Sequence, residues 1–203
     1  MTTMEDFLHR WLPGSSGQTL LLLHGTGGDE NDLLSLGRTV APGASLLSPR
    51  GKVLERGMPR FFRRLSEGVF DQDDLRERTH ELADWISASA ERYGFDPSTL
   101  TALGYSNGAN IAASLLLLRP ESLSAAILLR AMLPFEPQTI PNLHGKRILL
   151  SNGKRDPIIP LASSAQLAEI LRTAGAEVTA NTLDAGHGLD PSELANAADW
   201  YRG

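Results

Sequence analysis

The 203-residue chain contains no cysteine, which removes disulfides, thiolate metal sites and cysteine nucleophiles together. It also lacks a basic surplus. Its 19 lysines and arginines stand against 24 aspartates and glutamates, for a net charge of −5, and a nucleic-acid partner is not expected of that balance. The one basic cluster, Arg60, Arg63 and Arg64, reads first as a solvated face. No apolar run reaches the length of a membrane span, so no membrane partner is expected. The opening Met1-Thr2-Thr3-Met4-Glu5-Asp6 has neither the basic start nor the long apolar core of a signal peptide. Internal repeats, low-complexity tracts and linkers are missing too. These absences point to a cytoplasmic protein forming one domain over residues 1–203, long enough to bury a core without cross-links.

What is present is an alternation. Short apolar runs at Thr19–Leu23, Ala44–Leu47, Leu100–Leu103, Ala125–Leu129, Arg147–Leu150 and Glu177–Leu183 are strand candidates. Most are apolar on both faces, which suits a parallel sheet covered by helices on each side. Between them lie helix candidates near Leu33–Val40, Asp74–Tyr93, Asn107–Arg119, Leu161–Ala174 and Ser192–Tyr201. The last begins at Asp190-Pro191, with Asp190 as N-cap and Glu193 completing a capping pattern. Phe7–Leu12 alternates and is a candidate for an additional edge strand. The pattern implies an α/β layer sandwich, in which ligands bind beyond the carboxyl ends of the strands. One connection stands apart: Ser48–Asp73 has little periodicity and is dense in Arg and Gly, and a loop of that length is usually functional or mobile.

Gly104-Tyr105-Ser106-Asn107-Gly108 lies between a strand candidate and a helix candidate, the context of a nucleophile elbow. The serine is expected in a strained turn with its hydroxyl exposed above the sheet. The amide of Asn107, at the helix start, is then aimed where an oxyanion would form. A serine needs a base oriented by a carboxylate. Of five histidines, His9, His80 and His144 read as packing or surface positions. His187, in Asp184-Ala185-Gly186-His187-Gly188, follows the last strand, the third place in the order Ser, acid, His. Asp156 follows the intervening strand. Asp184 lies too near His187 along the chain, and Asp190 is better explained as a cap. The run His24-Gly25-Thr26-Gly27-Gly28, after the strand Leu20–Leu23, is expected to supply a second oxyanion donor in the amide of Thr26, although a glycine-rich turn with a structural histidine would fit it as well. Losing one such donor costs on the order of 3 kcal/mol of transition-state stabilisation. A phosphate-binding loop fits worse, because neither a Gly-Lys-Ser/Thr ending nor Gly-x-Gly-x-x-Gly is present.

The run from Leu22 to Leu34, with Arg50-Gly51, Gly57-Met58-Pro59-Arg60-Phe61-Phe62, the serine motif through Asn110, and Gly186-His187, resembles the phospholipase/carboxylesterase family of α/β-hydrolases. The resemblance covers about Leu20 to Trp200. It implies an α/β-hydrolase fold without a cap domain, the triad Ser106, Asp156 and His187, and action on carboxylic esters with no metal or organic cofactor. Small bacterial esterases are the nearest subgroup, and acyl-protein thioesterases and lysophospholipases are more distant. Those relatives commonly carry Gln-Gly-Gly after the serine, where this chain has Asn107-Gly108-Ala109; the departure argues against a long acyl-protein substrate. The absence of cysteine excludes a dienelactone-hydrolase type of nucleophile.

The Ser48–Asp73 segment is expected over the active-site end of the sheet, with Phe61, Phe62, Met132, Leu133 and Ile159 as candidates for an apolar substrate pocket. Core packing accounts for any one of them equally well. Arg60, Arg63 and Arg64 could meet an anionic substrate group, although solvation is the first reading. Exposed apolar residues near this segment are compatible with a homodimer. Two readings compete with a serine esterase acting on a small-molecule ester: a thioesterase, lysophospholipase or cofactor-free perhydrolase using the same triad, and a ligand-binding protein that kept the fold without turnover.

Overall fold

The structure, a computed structural model, describes residues 6–203; Met1–Glu5, on which the reading of the N-terminus rested, lies outside them. Seven strands form the central sheet: β1 (His9–Leu12), β2 (Thr19–Leu23), β3 (Ser45–Pro49), β8 (Thr101–Tyr105), β9 (Ala125–Leu129), β10 (Arg147–Gly153) and β11 (Glu177–Leu183), in spatial order β1-β3-β2-β8-β9-β10-β11. All pairings are parallel except β1 with β3, so the Phe7–Leu12 run does supply an antiparallel edge. Strands β4 (Val53–Glu55), β5 (Met58–Arg60), β6 (Arg64–Ser66) and β7 (Val69–Phe70) lie outside the sheet.

The helices are α1 (Leu34–Val40), α2 (Gln72–Tyr93), α3 (Asn107–Leu118), α4 (Leu161–Thr173) and α5 (Pro191–Arg202). They cover both faces, and the period-2 geometry of a strand decides which residue meets which layer. On β2, Leu21 and Leu23 join Leu82, Ile111 and Leu167 in the core under α2, α3 and α4. Leu20 and Leu22 point the other way, with Val40 and Ala197 under α1 and α5. Both faces of the central strands are therefore apolar, and β2 is buried at all five positions. The outer strand β11 is covered less, and none of its residues is fully buried. Helix α2 starts on Asp71, whose side chain accepts from the Asp74 amide, and stops at Gly94 in the left-handed region, φ 70°. Helix α5 begins with a full Asp190/Glu193 capping box. Among the described residues no helix is long and apolar enough to cross a membrane.

One finding revises the expected layout and another completes it. The Ser48–Asp73 segment is not an irregular loop: β4 pairs with β5 and β6 with β7, giving two short antiparallel hairpins. The first turns through Arg56 and Gly57, at φ 53° and 81°, the two positive values that a two-residue hairpin turn of right-handed twist requires. Second, strand order reverses between β2 and β8, because the chain leaves β2 towards β3 but later returns to its other side. The loops beyond β2 and β8 consequently diverge and open a crevice, where Thr26 and Ser106 sit.

Candidate active site

Ser106 lies between β8 and α3 at φ 53°, ψ −112°, a conformation that costs a non-glycine residue about 1–3 kcal/mol. Its amide donates to the Leu129 carbonyl at 2.9 Å, and its carbonyl accepts from Asn110, so neighbouring elements hold the turn. The flanking glycines act through contact, not through φ. A Cβ on Gly108 would stand 1.9 Å from the Leu23 carbonyl oxygen, and one on Gly104 would stand 2.5 Å from the Gly108 oxygen. The elbow can form only if α3 enters this close to β2 and β8.

His187 reaches the serine from the β11–α5 loop. Its Nδ1 is 2.8 Å from Asp156 Oδ2 and its Nε2 is 3.0 Å from Ser106 Oγ. An ionised carboxylate only accepts, so Nδ1 carries the proton and Nε2 is left to accept from the serine hydroxyl. The Asp156 side chain is wholly buried, while that of His187 is 23% exposed on the cavity side. Asp156 Oδ1 accepts from the amides of Ile158 and Ile159 at 2.8 and 3.1 Å. A Cβ on Gly153 would lie 2.3 Å from the Gly186 oxygen, so the missing side chain lets the loops carrying the acid and the base close on one another. The remaining histidines are elsewhere: His9 in β1 is bonded to Tyr93, and His80 and His144 are exposed.

On the opposite side, the turn around Thr26 is fixed by Gly27, whose amide donates to Pro59 at 3.0 Å, and by Gly28, whose amide donates to Gly25 at 3.1 Å. Asn107 is buried, and its Oδ1 accepts from the Phe61 amide at 2.7 Å. His24 is a buried strut. Its Nε2 accepts from the Gly51 amide at 3.0 Å, and its Nδ1 donates to the Gly25 carbonyl at 2.7 Å. Burial pushes its pKa below the ordinary value of 6.5, in keeping with the neutral ring that this pairing demands.

Ser106, His187, Thr26, Tyr105 and Asn107 open into a cavity of about 310 Å³. Phe70, Met132, Ile158 and Ile159 give it an apolar wall, and Arg60 and Arg64 give it a cationic one. Met132 and Ile159, two of the candidates for an apolar pocket, thus lie on the cavity wall. Phe61 and Phe62 do not line the cavity: they are 2% and 0% exposed, Phe61 packing on the His24 ring and Phe62 on Phe70. Aromatic character suits a core as well as a pocket, and the hairpins turn both rings inward. Leu133 also lies outside the cavity lining. Arg60 overturns its assignment to a solvated face. It is buried, with Nη1 2.6 Å from Thr26 Oγ1 and Nε donating to the Phe62 carbonyl.

Arg130 carried no role in the sequence reading, yet it is fully buried at φ 62°. Its guanidinium donates to the carbonyls of Gly186 and Gly188, at 3.0 and 2.7 Å, on either side of His187. Glu193 pairs with it through both oxygens, one at 2.8 Å, and accepts from Ser151 Oγ at 2.6 Å. Arg130 Nε also stands 3.9 Å from Asp156 Oδ2. The capping glutamate of α5 is therefore also the counterion beneath the histidine loop. The capping pattern made Glu193 legible, but nothing local in the sequence marks a buried arginine.

A mostly parallel sheet between helix layers, with a serine on a strand–helix elbow and an acid and a histidine on later strand ends, defines an α/β-hydrolase. The chain belongs to the phospholipase/carboxylesterase family, whose sequence model matches residues 14–202. It is 48% identical to MhqD of Bacillus subtilis over 96% of this chain and 97% of that one. It is 46% identical to the Bacillus cereus carboxylesterase, with a TM-score of 0.95 over 97% of this chain and 93% of the other. A carboxylesterase from Mesorhizobium loti is 34% identical, with a TM-score of 0.93 over 100% and 97% of the two chains.

Proposed function

We propose that this protein is a serine carboxylesterase that hydrolyses small carboxylic esters through an acyl-enzyme on Ser106. The observation that carries the reading is the hydrogen-bonded series Asp156, His187, Ser106 opening into a cavity with an apolar wall. Membership of a carboxylesterase family supports it. In the first step His187 Nε2 takes the hydroxyl proton as Ser106 Oγ attacks the ester carbonyl. The amides of Thr26 and Asn107 stabilise the oxyanion, and Asp156 holds the imidazole in the tautomer with Nδ1 protonated and stabilises its charged form. Nε2 then gives its proton to the departing alkoxide, which leaves as the alcohol. In the second step Nε2 takes a proton from water as that oxygen attacks the acyl-enzyme. Collapse of the adduct returns the proton to Ser106 and releases the acid.

Arg130 acts here as a positioning residue. By holding the carbonyls of Gly186 and Gly188 it fixes the short loop on which the imidazole must remain within hydrogen-bond reach of both partners. The test is hydrolysis of a 4-nitrophenyl ester series, from acetate upwards, by the wild type and by Ser106→Ala. Turnover that disappears in a folded variant is expected, with a chain-length profile that sizes the cavity. A wild type that neither turns over these esters nor takes a fluorophosphonate label would overturn the reading in favour of a binding role.

A further inference from the structure

The cavity beside Ser106 has an imbalance of charge that a neutral ester does not correct. Arg60 and Arg64 both line it, and they share one carboxylate. Glu55 accepts from Arg64 Nε at 3.1 and 3.0 Å and stands 3.3 Å from Arg60 Nε. The side chains of Arg60 and Arg64 are 4% and 24% exposed, and that of Glu55 is 30% exposed. Glu55 itself does not line the cavity; the acidic residue that does, Glu67, is exposed, where water screens it. Two guanidiniums against one carboxylate therefore leave one unit of positive charge at the wall of the cavity, and Arg60 is its enclosed member. Burying an uncompensated charge is expensive, and burial together with the neighbouring Arg64 drives the Arg60 pKa down to about 10. Arg60 is also fixed in place, because Thr26 Oγ1 and the Phe62 carbonyl take its Nη1 and Nε protons. A guanidinium so oriented presents a preorganised donor edge at low entropic cost.

We infer that Arg60 and Arg64 form an anion subsite, and that the substrates this site prefers are esters carrying a carboxylate on the acyl or the alcohol part. The inference rests on the esterase reading above and adds the substrate class to it. The ester bond lies at Ser106, the hydrocarbon lies along Met132, Ile158 and Ile159, and the free carboxylate meets the two guanidiniums. A carboxylate there completes the pairing that Glu55 shares out. A neutral ester of the same shape leaves it incomplete.

Two matched pairs test this at low ionic strength. On the acyl side, mono-4-nitrophenyl adipate is compared with 4-nitrophenyl methyl adipate; on the alcohol side, 4-acetoxybenzoate with its methyl ester. In at least one pair kcat/KM is expected to favour the anion by about 10- to 100-fold, the effect of a charge-assisted hydrogen bond. The ratio should fall towards one in Arg64→Gln and in Arg60→Met, survive in part in Arg64→Lys, and shrink with added salt. An arginine that only braces the hairpins would slow both members of a pair alike and leave the ratio intact. Arg64→Gln keeps the test decisive if Arg60→Met does not fold. Ratios near or below one in both pairs, with the neutral esters turned over, would overturn the anion subsite and leave the esterase standing. Hydrolysis of none of the four would overturn both.

Discussion

Ser106 and Arg130 occupy equivalent places on adjacent strands. Each lies at the carboxyl end of its strand, β8 or β9, and each is a non-glycine residue at positive φ, 53° and 62°. The side chains go opposite ways. The Ser106 hydroxyl faces the cavity and has one hydrogen-bond partner among the described residues, His187, whereas the Arg130 guanidinium is wholly enclosed and has several carbonyl and carboxylate partners. Positive φ at a strand end thus has two outcomes, to present a hydroxyl to the cavity and to place a charge under the loop that faces it. At the end of β2, His24 is a third case without strain, a buried polar ring bracing Gly25 and Gly51.

The sharpest way to break the comparison is to remove each side chain and read different quantities. Ser106→Ala should lower kcat by about 10³-fold or more with little change in thermal stability. Arg130→Met should do the reverse in emphasis. It leaves the Glu193 carboxylate buried without its counterion, a loss of about 3–5 kcal/mol, and the melting temperature should drop on the order of 10 °C. The double variant Arg130→Met with Glu193→Leu should recover part of that loss, because it removes the stranded charge. A double variant no more stable than the single would show that the ion pair is not what the arginine contributes.

His24 gives a pH handle. Its pKa is lowered on folding, so the unfolded chain binds a proton that the folded protein resists. The stability it contributes is complete above about pH 6.5 and is lost as the pH falls through the lower folded value. Stability should rise with pH within that window, with a slope that one proton limits to about 1.4 kcal/mol per pH unit. Denaturant melts at pH 7, 6 and 5 should show it in the wild type and show a flatter dependence in His24→Asn. The smallest effect expected is a gain. Ser106→Gly relieves the positive φ, and the inactive variant should be more stable by about 1 kcal/mol; a loss of stability would mean that the serine is not strained.

The legible part of the fold was the part governed by pattern. The strands Thr19–Leu23, Ala125–Leu129 and Glu177–Leu183 occur with the bounds that the apolar runs predict, and the helices differ from expectation by at most two residues at an end. The hairpins were not legible as such. Strands of two or three residues hold no period, and charged residues such as Arg60 and Arg64 obscure the one alternation present. The elbow, the acid and the histidine were found from their places after strands, and the structure brings these three residues together. Phe61, Phe62, Arg60 and Arg130 were misjudged or passed over for one reason. A side chain's identity gives its average surroundings, whereas Arg60, Phe61 and Phe62 are turned inward by the hairpins they belong to, whose short strands carry no readable period, and Arg130 by the α5 cap far away in sequence.

The central claim is a covalent acyl group on Ser106. Mixing the wild type with excess 4-nitrophenyl acetate, quenching in acid within the first turnover and mapping the digest by mass spectrometry tests it directly. The account predicts a burst of nitrophenol stoichiometric with enzyme and an acetyl group on the peptide carrying Ser106, both absent in Ser106→Ala. Continuous turnover with that peptide unmodified, or an acetyl group on another residue that persists in the variant, would contradict it.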